Sequence, residues 1–495
     1  MTTSVQINVP DQAVTVRSPT DALRLLVAVL ITVITVILAL VFPSLLGDLT
    51  EDLGGLIEGT GGTVPQVAGL VVSAIVLATP LLLLAFFVGQ RAYKRIGVIA
   101  LAGVVASTVT AVVGRWLLNA AGTELPQAHD AAVATVAAYY PYVAAMTGAI
   151  TAAAPWMPRR WQRVAWAALF ALVLIRLILG TSLPAELILA MSIGVAAGAG
   201  VLFALGSPNR RPTGHQIVET LQRSGIRVSR IEAADVDARG STPFFVETTT
   251  GERLFVKTLS TDERSADLLF RVYRKLSLKN VGDEPAFSSL RRAVEHEALL
   301  SYAASAAGVR TPELLAVGKI GDEDYSMLLA YAGISGRSLD TADDVPDGVL
   351  QGVWDQIGLL REHGIAHRDL RLANVLLDDS GTPWMIDFGF SELAASRLLL
   401  DNDIAEFLAS SALIVGSERA VNTAVGTLGP ETVAGAAGRI QPPALSGATR
   451  TEIKERGDDL DRRIRSEIES VTGLSVPPLD SVSRLEVNVP GRIRT

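Results

Sequence analysis

The chain has 495 residues, 49% of them hydrophobic and 19% charged, with a formal net charge of −8 and a mean hydropathy of +0.37. It has no cysteine, which excludes disulfides and thiolate metal sites, and its five histidines show no metal-ligand spacing. A pI near 5.4 gives no electrostatic footprint for nucleic acid.

Apolar and charged residues are segregated along the chain, which implies two different solvents. Residues 1–20 read as a polar cytoplasmic tail. Between 21 and 206, six apolar stretches near 22–42, 65–88, 96–118, 131–153, 164–179 and 185–205 have the length of membrane-spanning helices. No small-residue cleavage site follows the first, so it does not read as a signal peptide. Lysine and arginine resist translocation and collect on the cytoplasmic side. Arg17, Arg24, Arg91, Lys94, Arg95, Arg159, Arg160, Arg163, Arg210 and Arg211 occupy one set of loops, and Asp48, Glu51, Asp52, Glu58, Glu124 and Asp130 the alternate set. The expected arrangement is a multi-pass protein of the plasma (inner) membrane with both termini in the cytoplasm. Arg115, Arg176 and Glu186 lie within or against the apolar stretches, toward the outer face. Charge in hydrocarbon marks a site, here a lipid-phosphate site, with snorkelling to the interface as the alternative.

Residues 207–214 hold Pro208, Arg210, Arg211, Pro212 and Gly214 and read as a breaker-rich linker. Beyond it, Phe244-Phe245-Val246, a turn at Thr250-Gly251-Glu252 and Leu254-Phe255-Val256-Lys257 read as a hairpin ending in a lysine. A buried ammonium needs a carboxylate to fix it. Glu297, in the helical stretch 289–304, is the first choice, and Glu295 is a competitor on another helix face. Before the hairpin, Gly240, Ser241 and Thr242 can offer backbone and hydroxyl donors to a phosphate, although no glycine triad is present.

Further on, His367 to Asn374 reads HRDLRLAN, and Asp387-Phe388-Gly389 follows after a short hairpin of 375–377 and 384–386. One Asp able to accept a hydroxyl proton, an Asn five places later and a second Asp make a set that suits phosphoryl transfer from a magnesium-bound triphosphate. The roles fall to Asp369 as base, with Asn374 and Asp387 toward the metal. After residue 436, densely charged sequence with leucine and isoleucine at helical spacing reads as a C-terminal helical extension, 436–495.

On these motifs the region Thr213 to Leu428 resembles the protein-kinase superfamily, in particular its atypical, aminoglycoside-phosphotransferase-like bacterial branch. The resemblance implies an α+β two-lobed domain, about 215–435, with ATP and Mg2+ in its cleft and Lys257 and Glu297 in the small lobe. His367 and Arg368 become structural members of the catalytic loop, Arg371 a transition-state cation, and Asp403 the tether of that loop, with a helix cap as its alternative. No APE element follows Asp387 at the usual distance, which puts ordinary protein-substrate recognition in doubt.

A second resemblance covers Tyr139 to Gly200. The run RLILGTSLPAE, Arg176 to Glu186, is similar to the last signature of type 2 phosphatidic acid phosphatases, with Ser182 in place of the nucleophilic histidine and Glu186 in place of the aspartate. It implies a bundle whose phosphatase chemistry is lost, since no imidazole is left to carry a phosphoryl group.

The fold class expected is therefore multi-domain, an all-α six-helix transmembrane bundle followed by a kinase-like domain. The function expected is a membrane-anchored kinase acting on a lipid-linked or membrane-protein acceptor, held at the lipid bilayer. The alternative is a regulatory pseudokinase that binds nucleotide without turning it over.

Overall fold

The computed structural model describes residues 5–10, 15–41, 63–120, 131–178, 184–209, 211–234, 241–260, 289–321, 326–342, 345–441, 444–456 and 459–478. The chain falls into two units, one Gln12–Asn209 and the other Met1–Asp11 with Arg210–Thr495. The first strand, β1 (Gln6–Asn8), belongs to the second unit.

In the first unit β2 (Thr15–Val16) pairs antiparallel with β3 (Ser207–Pro208). The helices are α1 (Pro19–Val41), α2 (Thr63–Gly89), α3 (Tyr93–Ala120), α4 (Ala131–Ala153), α5 (Arg159–Ile178) and α6 (Pro184–Leu205). Helix α6 packs on α1, α3 and α4. Small residues make this approach close. A Cβ on Gly194 would lie 2.5 Å from the Thr147 Cβ, and one on Gly198 2.7 Å from the Gly148 carbonyl oxygen. Gly194 and Gly198 are four apart, the spacing that lets helix backbones meet where the hydrophobic effect between helices is weak. A hydroxyl pair, Thr32 to Ser192 at 2.9 Å, links α1 to α6.

The expected six-helix transmembrane bundle is corrected here. Among the described residues three helices are long and apolar enough to cross a membrane: Pro19–Leu38, Tyr93–Leu117 and Ala185–Leu205, with Ala78–Gly89 a shorter apolar helix. Apolar sequence is demanded equally by lipid and by a protein interior, and composition does not separate the two. In helix α4 the side chains of 131–140 lie outside the described residues, and Val143, Ala144, Met146, Ile150, Ala152 and Ala153 are all buried in this unit's own core. Helix α5 fails for a different reason, since it carries Arg159, Arg160, Arg163 and Arg176 in twenty residues. By contrast Leu26, Leu30 and Ile37 of α1 are about half exposed, as a lipid-facing surface requires. Taken whole, the molecule is dominated by its helices and has one mixed six-stranded sheet.

That sheet lies in the second unit, in the order β1, β4 (Val228–Ala233), β5 (Thr242–Thr248), β6 (Arg253–Ser260), β8 (Ser326–Ala332), β7 (Leu314–Ile320). All pairs are antiparallel except β1 with β4, which is parallel with Gln6 opposite Arg230. The expected loose tail thus includes a sheet strand. Helix α7 (Gly214–Arg223) starts at a capping box, Thr213 with Gln216, and buries Ile217 and Leu221 against Val228, Phe244 and Val256. Helix α8 (Leu290–Ala306), capped by Ser289, buries Leu290, Val294 and Ala298 with Leu314, Met327 and Leu329.

The remainder holds β9 (Gly336–Ser338), α9 (Asp347–Glu362), the hairpin β10 (Val375–Asp378) and β11 (Pro383–Met385), α10 (Arg397–Val415), α11 (Ser417–Leu428), α12 (Pro430–Ala436), α13 (Gly447–Arg456) and α14 (Leu460–Thr472). Its core centres on Trp354 edge-on to Phe407, with ring centroids 4.8 Å apart. Gly336 is obligatory where β9 meets β10, since a Cβ there would fall 1.9 Å from the Leu377 carbonyl oxygen.

Candidate active site

The loop after α9 is fixed from below by one carboxylate. Asp403 of α10 accepts the backbone N–H of His367 at 2.6 Å and that of Arg368 at 2.7 Å. Arg368 adopts φ 66°, left-handed and unfavourable for a side chain of this kind, and these paired bonds hold it there. The Arg368 guanidinium also reaches Glu392 at 3.1 Å. Asp369 follows directly. Its Oδ2 receives the Asn374 amide N–H at 3.0 Å and the Arg371 Nε–H at 3.4 Å, while its backbone carbonyl takes a second Asn374 bond at 2.7 Å.

The hairpin β10–β11 returns the chain to this loop. The Ile386 N–H donates to the Asn374 carbonyl at 3.0 Å, which sets Asp387 beside Asn374. His367 Nε2 donates to the Ile386 carbonyl at 2.9 Å, and its ring lies against Phe388 at 4.9 Å between centroids. His367 Nδ1 is buried with no hydrogen-bond partner among the described residues, so a proton there has no acceptor. Burial accordingly pushes the imidazole below its ordinary pKa, against the nearby charge of Asp369, and the ring is neutral.

Lys257 comes to the same point from β6. Its Nζ lies 3.0 Å from Glu297 Oε1 and 2.7 Å from Asp387 Oδ1, in a buried setting. Burial works to lower the lysine pKa, but the carboxylates of Asp387 and Glu297 overcome it and hold it above its ordinary value. Burial also opposes ionisation of Asp387, yet the Lys257 charge draws its pKa down. Glu297 is pushed up by burial, with Lys257 opposing. For Asp403 burial outweighs the backbone donors and raises the carboxyl to about 7.

Glu295, the competitor of Glu297, is exposed and pairs with Arg291 at 2.7 Å on the helix surface. Of the proposed phosphate loop, Gly240 lies outside the described residues. Thr242 opens β5 opposite Thr258, and Pro243 stands opposite Lys257, which puts Ser241 and Thr242 at the lysine's end of the sheet. In the other unit Arg115 is exposed on α3, Arg176 is buried on α5 and Glu186 is half-buried in the first turn of α6. Ser182 lies outside the described residues.

Several contributing residues escape a reading of the sequence. The Tyr331 hydroxyl donates to Glu297 Oε1 at 3.2 Å. Leu329 stands opposite Lys257 across β6–β8, and Tyr331, two residues on, shares its face. Strand alternation could have nominated it only with the register known. His296 donates to the Ser391 carbonyl at 2.8 Å, and Ser391 Oγ donates to the His367 carbonyl at 3.2 Å, tying α8 and the segment after Asp387 to the loop.

Among the described residues no three His, Cys, Asp or Glu groups gather around one point. Asp387 and Asn374, however, each carry a hard side-chain oxygen, and Asp387 lies one residue past Ile386, which bonds to Asn374 across the end of the β10–β11 hairpin. A magnesium ion carried by phosphates asks for little more, since it keeps waters and takes one or two protein oxygens.

No protein-family model matches the chain, and no curated protein matches it. The functional reading therefore rests on the residues and their geometry.

Proposed function

We propose that the second unit is an ATP-dependent phosphotransferase, a kinase. The observation that carries the reading is the convergence of Lys257, Glu297 and Asp387 from three separate segments beside the Asp369–Asn374 loop. In it, Lys257 holds the nucleotide phosphates and Glu297 holds Lys257. Asp387 and Asn374 would hold a magnesium ion, which would supply neutralisation of the phosphate charge. Asp369 accepts the proton of the acceptor hydroxyl as its oxygen bonds to the γ-phosphorus, and the β–γ bridging oxygen leaves with ADP. Arg371 stands beside Asp369 as the cation for charge that develops on the transferred group.

The acceptor in this reading is a hydroxyl on a membrane-borne molecule, and the geometry favours a lipid headgroup over an extended peptide. Residues 388–396, between Asp387 and α10, are stitched down. Ala366 and Glu392 exchange both backbone bonds, at 3.0 and 2.8 Å, and Ala395 N–H donates to Gly364 at 2.9 Å. A peptide adding itself as a strand needs free backbone groups at such an edge. Anchoring at the bilayer raises the effective concentration of a lipid acceptor.

The reading places the kinase unit and both termini in the cytoplasm. The basic turns at Arg91, Lys94, Arg95, Arg159, Arg160 and Arg163 support it. So does the pairing of β1 with β4, because strands of one sheet lie on one side of a membrane. The chain between them then crosses an even number of times. Three crossings would separate the strands, so either another helix crosses with the three or one of the three lies in the interface.

Transfer of labelled γ-phosphate from ATP in native membranes, followed by separation of lipid and protein fractions, tests this. Label in the lipid fraction that is lost on Asp369→Asn and on Asp387→Ala is the expected result, and general-base loss alone costs about 10²–10⁴-fold. Label confined to protein removes the lipid assignment. In a second reading, the regulatory pseudokinase, Lys257 at 2.7 Å is the lasting partner of Asp387 in place of a metal. Saturable ATP binding with no labelled product in either fraction would select it.

A further inference from the structure

The turn of α10 that carries Asp403 is also held by the C-terminal segment 444–478. Glu406 lies three residues on from Asp403, on the same helix face, and is 6% exposed. Its two oxygens are both taken: one by the Thr449 hydroxyl at 2.5 Å, the other by the Ser446 N–H at 2.7 Å. Ser446 also caps α13, its Oγ accepting the Thr449 N–H at 3.3 Å. At the far end of α13, Arg456 donates to the Leu413 carbonyl, so α13 is fastened to α10 at both ends. A second tie is independent of the first. Arg439, 4% exposed, donates to the side-chain oxygen of Asn402, the neighbour of Asp403, at 2.5 Å. The same turn accepts a bond at Ala437 from Arg465 of α14.

Two ties, one from the C-terminal segment to Glu406 and one from Arg439 to Asn402, thus flank Asp403, which itself carries the His367–Arg368 backbone. A buried carboxylate is costly and, judged by stability alone, a packed apolar side chain does as well. What it supplies is direction. Each of the Glu406 bonds fixes the rotation of α10 about its axis, and with it the position of Asp403.

We infer that Glu406 is a positioning residue, through which the C-terminal segment sets the catalytic loop. Ser446 and Thr449 hold Glu406, Glu406 holds the turn of α10, and Asp403 on that turn holds His367, Arg368 and so Asp369. The catalytic consequence rests on the kinase reading; the mechanical link does not.

The test compares Glu406→Ala, Glu406→Gln and Thr449→Val in the full chain in detergent. Glutamine can accept from the Ser446 N–H and donate to the Thr449 hydroxyl, so it keeps both bonds without the charge. Thr449→Val removes one bond at nearly constant volume and serves should the alanine variant fail to fold. Hydrogen exchange of the 366–370 peptide is read first. Tenfold or faster exchange of the His367 and Arg368 amides in Glu406→Ala, a smaller rise in Thr449→Val, and exchange within threefold of wild type in Glu406→Gln are expected. ATP-dependent phosphate transfer is read second: a tenfold or larger fall in kcat with KM for ATP within twofold, restored by glutamine. Exchange at 366–370 that stays at the wild-type rate while α13 becomes labile overturns the inference. If exchange responds as expected but wild type transfers no phosphate, the mechanical link stands and the kinase reading alone fails.

Discussion

Replacing Lys257 by Met tests whether charge, rather than shape, organises the site. The two side chains are nearly equal in length, so little cavity is left, and what changes is the ammonium 3.0 Å from Glu297 and 2.7 Å from Asp387. A buried carboxylate, Glu297, and a partly buried one, Asp387, are then left with no cation between them. Breaking a buried pair in this way costs about 3–5 kcal/mol. The molecule has one escape, which is to protonate a carboxyl. At pH 7, starting from an ordinary value of about 4.3, this costs about 1.36 × 2.7, or roughly 3.7 kcal/mol, and at pH 5 only about 1 kcal/mol. The sign follows from linkage. In the variant the folded-state carboxyl pKa lies above its unfolded value, so the loss is absent well below the unfolded pKa and grows as pH rises through it. Pulse proteolysis in urea on the full chain in detergent, wild type against Lys257→Met at pH 5, 6 and 7, gives the difference directly. A penalty flat across this range, or smaller than about 1 kcal/mol at pH 7, would show that the lysine is not the counterion of both acids.

Tyr331→Phe removes the bond that helps orient Glu297 and should cost about 1 kcal/mol, seen as an approximately fivefold weaker Kd for Mg-ATP by calorimetry. Asp403→Asn keeps one acceptor oxygen but turns an NH2 toward a backbone N–H, so amide exchange at His367 or Arg368 should rise by tenfold or more. The Asp403 carboxyl, raised by burial to about 7, makes stability fall as pH rises from about 4 to 7; that fall should be shallower in Asp403→Asn, as urea midpoints at several pH values will show. In the helical unit, Gly198→Leu drives a side chain into Gly148 and Thr151, where a Cβ alone would sit at 2.7 Å. Its overpacking should cost about 1–3 kcal/mol and lower the melting temperature in detergent.

The grouping of Asp369, Asn374 and Asp387 was legible in the sequence because residue type and spacing could be read together. Asp369 and Asn374 are bound by a local turn, and a short hairpin fixes where Asp387 returns, so sequence distance translates into spatial distance. Lys257 with Glu297 was legible for the related reason that a buried ammonium demands a carboxylate. Tyr331 and Glu406 were not, because their partners depend on strand register and on helix docking across 34 and 43 residues, respectively. The membrane unit was misjudged on the same physical ground. Six apolar runs were visible, but which residues face lipid and which face α6 is decided by packing, and Gly194 and Gly198 signal that packing only once a partner helix is known.

The site's two strained residues show how its parts depend on one another. Arg368 and Asp387 both lie in the left-handed region, at φ 66° and 67°, and each such residue costs on the order of 1–2 kcal/mol. Neither conformation persists unless its surroundings over-determine it. For Arg368 the surroundings are Asp403, Glu392 and, through α10, the C-terminal segment. For Asp387 they are Lys257 on one side and the Ile386–Asn374 bond on the other. The two are joined by His367, which donates its backbone N–H to Asp403 and its imidazole N–H to the Ile386 carbonyl. A neutral, buried ring is suited to that position because it can donate in one direction without carrying charge between two acidic groups. The imidazole therefore transmits the geometry set by α10 to the residue that Lys257 holds from the sheet, and catalytic loss on its replacement should appear in kcat before ATP affinity.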